Sequence, residues 1–309
     1  MGAGKTEAGG SNDLASADRM TPPPVIIVGA ARSGTKYLRD TLAASPDAAR
    51  VPYDVSYVWR MGNEAQPTDV FAPDLARPQV RGFVRSQLIR LANWRPGKVL
   101  LEKTVGSTLR VPFCTAIFPE AKFVHLVRDG RAVTESAMRQ WEAPPEWGRL
   151  FEKLRGLPLR NLGYAAWFVA NYATGLVSGR GGGKLWGPRY PGADADLAEG
   201  RPLAYICARQ WAASVEIATR DLAALPAPRV LTIRYEELMA DDSQWHRLAA
   251  FCGLSDPDAI VAAHRARALG GQDDKWRQTL TAEQQAQMLA GAGAMLARFG
   301  YTDDRSAAA

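Results

Sequence analysis

Cysteine is scarce in this sequence and occurs only at Cys114, Cys207 and Cys252. The three residues are far apart and form no C-x-x-C pair, so neither a disulfide framework nor a zinc site is indicated. An unpaired, widely spaced set of cysteines is typical of a protein kept in a reducing compartment. We therefore expect a cytoplasmic location.

Histidine is equally rare, with three residues in 309. None of them stands at metal-ligand spacing, and no metal site is predicted. His125 falls inside an apolar run and is expected in the core, whereas His246 and His264 are expected on exposed helix faces.

Long apolar runs are also missing. No segment approaches the roughly 20 apolar residues that a transmembrane helix needs, and residues 1–23 lack the apolar core of a signal peptide. We expect residues 1–23 to form a disordered tail. The "GAGKT" within it imitates a phosphate loop, but no strand precedes it.

The charge is mildly basic, with a net value of +6 from 38 basic and 32 acidic residues. Such an excess suits an anionic ligand. One interpretation is a non-catalytic module that binds nucleic acid. Against it, the basic residues are spread along the whole chain instead of forming a cluster.

Apolar segments alternate with helical ones from Pro24 onward. Strands are predicted at 24–29, 98–103, 122–128 and 229–235, and helices follow several of them. This order predicts an α/β protein with a mostly parallel central sheet flanked by helices. Residues 24–305 are expected to form one domain. Within it, 141–211 is expected to be a mainly helical insertion or cap, because it holds 11 of the 27 aromatic residues.

The loop "GAARSGTKYL" follows the first predicted strand and precedes the first predicted helix. Its glycines, Gly29 and Gly34, allow a tight turn whose N–H groups point at an oxyanion. Ser33 and Thr35 add hydroxyl donors, and Arg32 adds a forked positive charge. The usual nucleoside-triphosphate loop, G-x-x-x-x-G-K-[ST], is absent from this position.

A second motif, "FVHLVRDGRAVTES", ends a predicted strand with Arg128 and places Ser136 two turns into the next helix. These two residues can hold a second phosphate group, because ligands of α/β proteins bind at strand ends. Two other interpretations stay open. In one, Arg128 forms a structural salt bridge and Asp129 is a helix N-cap. In the other, Asp129 holds Mg²⁺ in a P-loop kinase or NTPase that uses Mg·ATP.

Together the two motifs resemble the sulfotransferases that use 3′-phosphoadenosine 5′-phosphosulfate (PAPS), which have a P-loop-like fold. "ARSGTKYL" is similar to the family's 5′-phosphosulfate loop, and Arg128 and Ser136 stand at its 3′-phosphate positions. The resemblance implies PAPS contacts from the loop residues Arg32, Ser33, Gly34, Thr35, Lys36 and Tyr37.

Further segments extend the resemblance to residue 304. "LLEKT" is similar to the strand that carries an active-site lysine, here Lys103, and "IRYEELM" implies that Tyr235 lies near the nucleotide. "DDKWRQTLT" is similar to a late loop that closes over PAPS through a lysine, here Lys275, with Trp276 beside it. The chain resembles the tyrosylprotein sulfotransferases and their bacterial relatives more than the animal cytosolic branch.

Some positions depart from the family. Lys36 replaces the second threonine of S-G-T-T, and Val105 replaces the catalytic histidine of the cytosolic branch. In "VPYDVSYVWR" the nearest carboxylate for a catalytic base is Asp54. Arg139 stands one position before the arginine that follows the 3′-phosphate serine in related enzymes.

The resemblance implies in-line sulfuryl transfer from PAPS to a hydroxyl group, with release of 3′-phosphoadenosine 5′-phosphate (PAP). Asp54 would act as the base, and Lys103 and Arg32 would stabilise developing negative charge without a metal. We expect a bacterial enzyme whose acceptor is a carbohydrate, a natural product or a peptide.

Overall fold

A five-stranded parallel β-sheet forms the centre of the protein. The structure is a computed structural model, and it describes residues 19–143, 186–267 and 274–301. Its strands are β1 (Val25–Val28), β2 (Ala48–Arg50), β3 (Val99–Glu102), β4 (Lys122–Val127) and β5 (Val230–Arg234).

Helices flank the sheet in the described ranges. They are α1 (Thr35–Leu42), α2 (Ser56–Trp59), α3 (Pro78–Leu91), α4 (Val111–Ile117), α5 (Gly130–Glu142), α6 (Ala193–Ala198), α7 (Leu203–Ala223), α8 (Tyr235–Ala240), α9 (Ser243–Cys252), α10 (Pro257–Arg267), α11 (Lys275–Thr279) and α12 (Ala282–Arg298). Short 3₁₀ turns cover Pro73–Leu75, Val105–Leu109 and Ala227–Arg229. The α/β class with a mostly parallel sheet, predicted from the alternating pattern, is confirmed.

The strand order is β2-β3-β1-β4-β5. The chain therefore fills one side of β1 with β3 and β2 before it crosses to β4 and β5 on the other side. Reversals of this kind open a crevice outside the carboxyl ends of the central strands, here β1 and β4. The two predicted phosphate motifs follow β1 and β4 and leave the sheet at that end.

Alternate side chains of the central strands pack into two separate layers. In β1, Ile26 and Val28 join one apolar cluster with Leu100 of β3. Val25 and Ile27 join a second cluster on the opposite face of the sheet. Because β1 is covered on both faces, its sequence is a continuous apolar run.

Strand β2 was missed by the sequence prediction. It has three residues, "AAR", and pairs with β3 in register Ala48↔Val99. A segment this short and weakly apolar carries no strand signal of its own, since its conformation comes from hydrogen bonds to its neighbour.

The predicted boundaries of the tail and of the insertion need correction. Most of residues 1–23 lie outside the described ranges, but Met20 is buried in the core and its N–H donates to Glu120 Oε1 at 3.1 Å. The folded part thus begins before Pro24. Of the predicted insertion 141–211, residues 144–185 lie outside the described ranges. Its end at 211 falls inside α7, which packs between α12 and α5 as part of the main body.

No helix within the described ranges combines the length and the apolar character that crossing a membrane requires.

Candidate functional site

The loop between β1 and α1 has an unusual backbone. Arg32 has a positive φ of 72° and Gly34 a positive φ of 91°. A non-glycine residue in this region is uncommon and costs of order 1–3 kcal/mol when the surrounding structure imposes it. Strained backbone conformations of this kind are concentrated at ligand sites. Arg32 lies in the loop that follows β1, next to the crevice.

Two close approaches explain the glycines of this loop. A Cβ atom on Gly29 would lie 2.6 Å from the Leu126 carbonyl oxygen, and one on Gly34 would lie 2.6 Å from the Tyr235 ring. Thr108 holds the loop from the other side, since its Oγ1 accepts from Gly29 N and donates to Gly29 O, both at 2.9 Å. The loop is therefore fixed by its neighbours as well as by its own turn.

The loop presents donors at the N-terminus of α1. Gly34 is the N-cap and supplies no side-chain cap, and the first N–H groups of a helix, which have no partner within it, can bind an anion. Ser33 is fully buried, and its Oγ has no hydrogen-bond partner among the described residues. A buried hydroxyl of this kind calls for a ligand oxygen or a water molecule.

The structure brings the two predicted phosphate motifs together. Arg32 Nε donates to Ser136 Oγ of α5 at 3.0 Å, across 104 residues of sequence. Arg128 Nη1 donates to the Arg32 carbonyl oxygen at 3.2 Å. Arg128 and Ser136 are each 8% exposed, whereas Arg32 is exposed, so the junction is buried on one side and open to solvent on the other.

Positive charge is concentrated around this junction. Burial, followed by the charges of Arg139 and Arg128, lowers the pKa of the Arg32 guanidinium, while Glu135 acts in the opposite direction. Arg139 Nη1 lies 2.6 Å from Glu135 Oε1. The positive charges of Arg139 and Arg128 thus act on Arg32, and an incoming anion would relieve this repulsion.

Asp129 serves as the N-cap of α5, one of the roles predicted for it. Its Oδ1 accepts from Arg131 N at 2.9 Å, and its Oδ2 accepts from Arg131 Nη2 at 2.8 Å. Because both carboxylate oxygens are engaged by Arg131, the geometry disfavours Asp129 as a magnesium ligand.

Lys103 and Asp54 meet at the end of β3. Lys103 Nζ lies 3.4 Å from Asp54 Oδ2, which also accepts from Val105 N at 2.9 Å. Ser56 Oγ donates to Asp54 Oδ1 at 3.0 Å. The carboxylate is partly exposed, whereas the lysine is nearly buried. In such a pair the carboxylate can accept a proton, and the adjacent ammonium group can stabilise negative charge.

Glu102 lies directly before this lysine and was not singled out in the sequence. It is fully buried, accepts from Trp59 Nε1 at 3.2 Å, and has no partner for Oε2 among the described residues. Burial raises the pKa of this carboxyl to about 7. An acidic residue inside the strand "VLLE" was the only sequence signal, because polar residues are rare in a fully buried strand.

Lys36 and Tyr37 make contacts away from the junction. Lys36 Nζ pairs with Asp40 Oδ2 at 2.8 Å one turn along α1, and its side chain is 70% exposed. Tyr37 Oη lies 2.7 Å from His264 Nδ1. A PAPS contact from Lys36 or Tyr37 stays a prediction. The observed contacts with Asp40 and His264 do not favour it.

His264 is buried, which corrects the expectation of an exposed helix face. Its ring lies 5.0 Å from the Trp245 ring, between α9 and α10. Burial lowers the pKa of this histidine. His125 is a buried core residue as predicted, and burial lowers its pKa to about 4.

Tyr235 closes the crevice near the loop. The guanidinium of Arg128 lies 4.2 Å from the centroid of its ring, and the same ring covers Gly34. Glu236, the next residue, accepts from Asp129 N at 2.8 Å and was missed although it stands inside the quoted "RYEEL". Lys275 is exposed at the start of α11, whereas Trp276 is only 3% exposed and packs in the interior.

A protein family model matches the part of the chain that contains the two phosphate motifs. Residues 23–169 match the model of the sulfotransferase family, the family that the sequence motifs resemble. This range includes Arg32, Lys103, Arg128 and Ser136. No curated protein matches the chain.

Three solved structures illustrate the similarity. The sulfotransferase domain from the curacin biosynthetic pathway is 15% identical, with 88% of this chain and 98% of that chain covered and a TM-score of 0.48. The sulfotransferase domain of the Synechococcus PCC 7002 olefin synthase is 18% identical (88% and 94% covered, TM-score 0.48). A mouse sulfotransferase complexed with PAP is 13% identical (92% and 91% covered, TM-score 0.44).

Proposed function

We propose that this chain is a sulfotransferase that moves the sulfuryl group of PAPS to a hydroxyl group of an acceptor and releases PAP, and the match of residues 23–169 to the sulfotransferase family model supports this proposal. The enzyme class is PAPS-dependent sulfotransferase (EC 2.8.2).

The junction of Arg32, Ser136 and Arg128 is the observation that carries this proposal. A ligand with a 5′ phosphate chain and a separate 3′ phosphate has two anionic groups, and two donor sets meet here. Ser33, Gly34 and Thr35 supply donors at the N-terminus of α1, and Arg32 donates to Ser136 with the charges of Arg128 and Arg139 nearby. We assign the first set to the 5′ phosphosulfate and the second to the 3′ phosphate.

This assignment gives Arg32 a binding role first. Its guanidinium bonds to Ser136 and not to the Lys103–Asp54 pair. The catalytic role predicted for Arg32 then requires its side chain to turn toward the sulfuryl group when PAPS binds. Tyr235 would lie against the nucleotide and Lys275 would reach it from α11.

Lys103 and Asp54 carry the proposed transfer. The acceptor oxygen attacks sulfur in line with the bridging oxygen, and Asp54 takes the hydroxyl proton as the new oxygen–sulfur bond forms. The bond from sulfur to the bridging oxygen breaks, and Lys103 donates to the oxygen that leaves with PAP. Loss of one fixed donor of this kind costs about 2.7–4 kcal/mol in the oxyanion holes where it has been measured.

The acceptor is proposed only by class: a hydroxyl group of a carbohydrate, a natural product or a peptide. The bacterial origin, the cytoplasmic location and the tyrosylprotein-sulfotransferase-like branch stay predictions from the sequence. A P-loop kinase or NTPase using Mg·ATP is the alternative, but the engagement of Asp129 by Arg131 counts against it.

Calorimetric titration of PAP into the protein, in EDTA, tests the nucleotide site. We expect micromolar binding without metal and a loss of about tenfold to a hundredfold in Arg128→Ala, since hydrogen bonds to charged groups contribute roughly 1.5–3 kcal/mol. Arg234→Ala is a matched control, because Arg234 also ends a strand and stacks on a tyrosine, Tyr301, at 4.5 Å. It should bind PAP like the wild type.

Two results would overturn the proposal. One is an absence of PAP binding together with good Mg·ATP binding, which would favour the kinase or NTPase. The other is equal weakening in Arg128→Ala and Arg234→Ala, which would remove Arg128 from the site.

A further inference from the structure

Arg131 connects two parts of the chain that are predicted to contact the nucleotide. On one side it bonds to Asp129, the neighbour of Arg128 at the end of β4. On the other side its guanidinium lies 4.7 Å from the centroid of the Trp276 ring, and Trp276 is the neighbour of Lys275. No motif identified in the sequence includes Arg131 as a functional residue.

The contact with Asp129 is rigid. Arg131 Nε lies 3.1 and 3.0 Å from the two carboxylate oxygens and Nη2 lies 2.8 Å from Oδ2, with both side chains nearly buried. The Asp129 backbone is itself held, because its N–H donates to Glu236 Oε1 at 2.8 Å. A forked arginine on a fixed carboxylate has little rotamer freedom. Arg131 therefore offers a fixed surface to whatever packs on it.

Helix α11 needs such a surface. It has five residues, and a helix of this length is not stable without tertiary contacts. It packs on α5, the helix that begins beside Asp129. Its buried anchor is Trp276, while Lys275 at its first position is exposed. A cation is attracted to the face of an indole ring, more strongly when the pair is shielded from water.

We propose that Arg131 is a positioning residue: fixed by Asp129 and stacked on Trp276, it orients α11 so that Lys275 faces the nucleotide phosphates. This inference rests on the proposed function, because it assumes that PAP binds at Arg128 and Ser136. It adds a coupling between the end of β4 and α11. Through this coupling, Lys275 would be positioned to bind the same nucleotide as the 3′-phosphate residues.

A double-mutant cycle on PAP binding tests the coupling. Arg131→Ala and Lys275→Ala should each weaken PAP binding about tenfold, as expected when one charge-assisted contact is lost. The double variant should bind no more weakly than either single variant, because both changes remove the same lysine contact. Arg277→Ala is the matched control. Arg277 lies 4.5 Å from the same ring but is 39% exposed, and this variant should bind PAP like the wild type.

Amide hydrogen exchange without nucleotide provides an independent measurement. In Arg131→Ala, the amides of α11 should exchange faster while those of β1 and β4 stay protected, since only α11 loses its support. Trp276→Phe keeps an aromatic face and should retain slow exchange in α11, whereas Trp276→Leu should lose it. The Trp276 pair tests the same contact if Arg131→Ala does not fold.

The outcomes separate the two proposals. Additive losses in the double variant, or unchanged exchange in α11 of Arg131→Ala, would overturn the positioning role while PAP binding by the wild type still supports the function. A wild-type protein that binds no PAP refutes the proposed function and with it the role of Lys275, and the exchange data then report only on docking of α11.

Discussion

Replacing Glu102 by glutamine should make the stability of the protein less dependent on pH. The carboxyl group is fully buried beside the Lys103–Asp54 pair, and Trp59 Nε1 donates to one of its oxygens. Burial raises its pKa from 4.5 to about 7, aided by the charge of Asp54; hydrogen bonds from Thr104 and Trp59 and the charge of Lys103 act in the opposite direction.

The sign follows from where the proton is bound. Below pH 4.5 the carboxyl is protonated in both the folded and the unfolded chain, so Glu102 carries no penalty. Between pH 4.5 and about 7 the unfolded chain releases this proton while the folded chain keeps it, and the free energy of unfolding falls as the pH rises. Above about pH 7 the full penalty is present. At about 1.4 kcal/mol per pH unit it amounts to about 3 kcal/mol.

Urea denaturation at pH 4.5 and pH 8 measures this penalty. The wild type should lose about 3 kcal/mol more unfolding free energy over this range than Glu102→Gln. Glu216→Gln, at an exposed position of α7, should follow the wild type. Parallel pH curves for the wild type and Glu102→Gln would refute the reasoning, because they would mean that Glu102 titrates in the folded chain as it does in the unfolded one.

Two further substitutions test the loop and the proposed base. Gly34→Ala should destabilise the fold by several kcal/mol, because the new Cβ would lie 2.6 Å from the Tyr235 ring. Gly97 has a similar φ of 86°, but a Cβ there would have no neighbour within 4 Å. Gly97→Ala should therefore cost only about 1 kcal/mol in the same urea experiment. Equal losses in the two variants would contradict the close approach. Asp54→Asn should lower kcat by about 10² to 10⁴ with any acceptor found by screening with labelled PAPS, while PAP affinity changes little. A variant with normal kcat would exclude Asp54 as the base.

The regular elements near the site were predictable from local patterns. β1, β3, β4 and β5 were each found within one residue of their predicted ends, because buried parallel strands are continuous apolar runs. β2 was missed, since its three residues become a strand only by pairing with β3. His264 was expected on an exposed helix face, but α10 packs on α1 and α9, which buries that histidine against Trp245.

The sequence by itself determined the order of the strands near the site and the two loop motifs that resemble those of the sulfotransferase family. The first motif is a strand, a glycine loop and a helix in that order, and the second places Arg128 and Ser136 eight residues apart. Both depend only on local spacing and can be recognised without a structure. Only the tertiary structure decided which of these residues meet. Arg32 and Ser136 are 104 residues apart, and Asp54 and Lys103 are 49 apart. Contacts over such distances depend on the strand order and on helix packing, because these bring the carboxyl ends of the strands to one edge of the sheet.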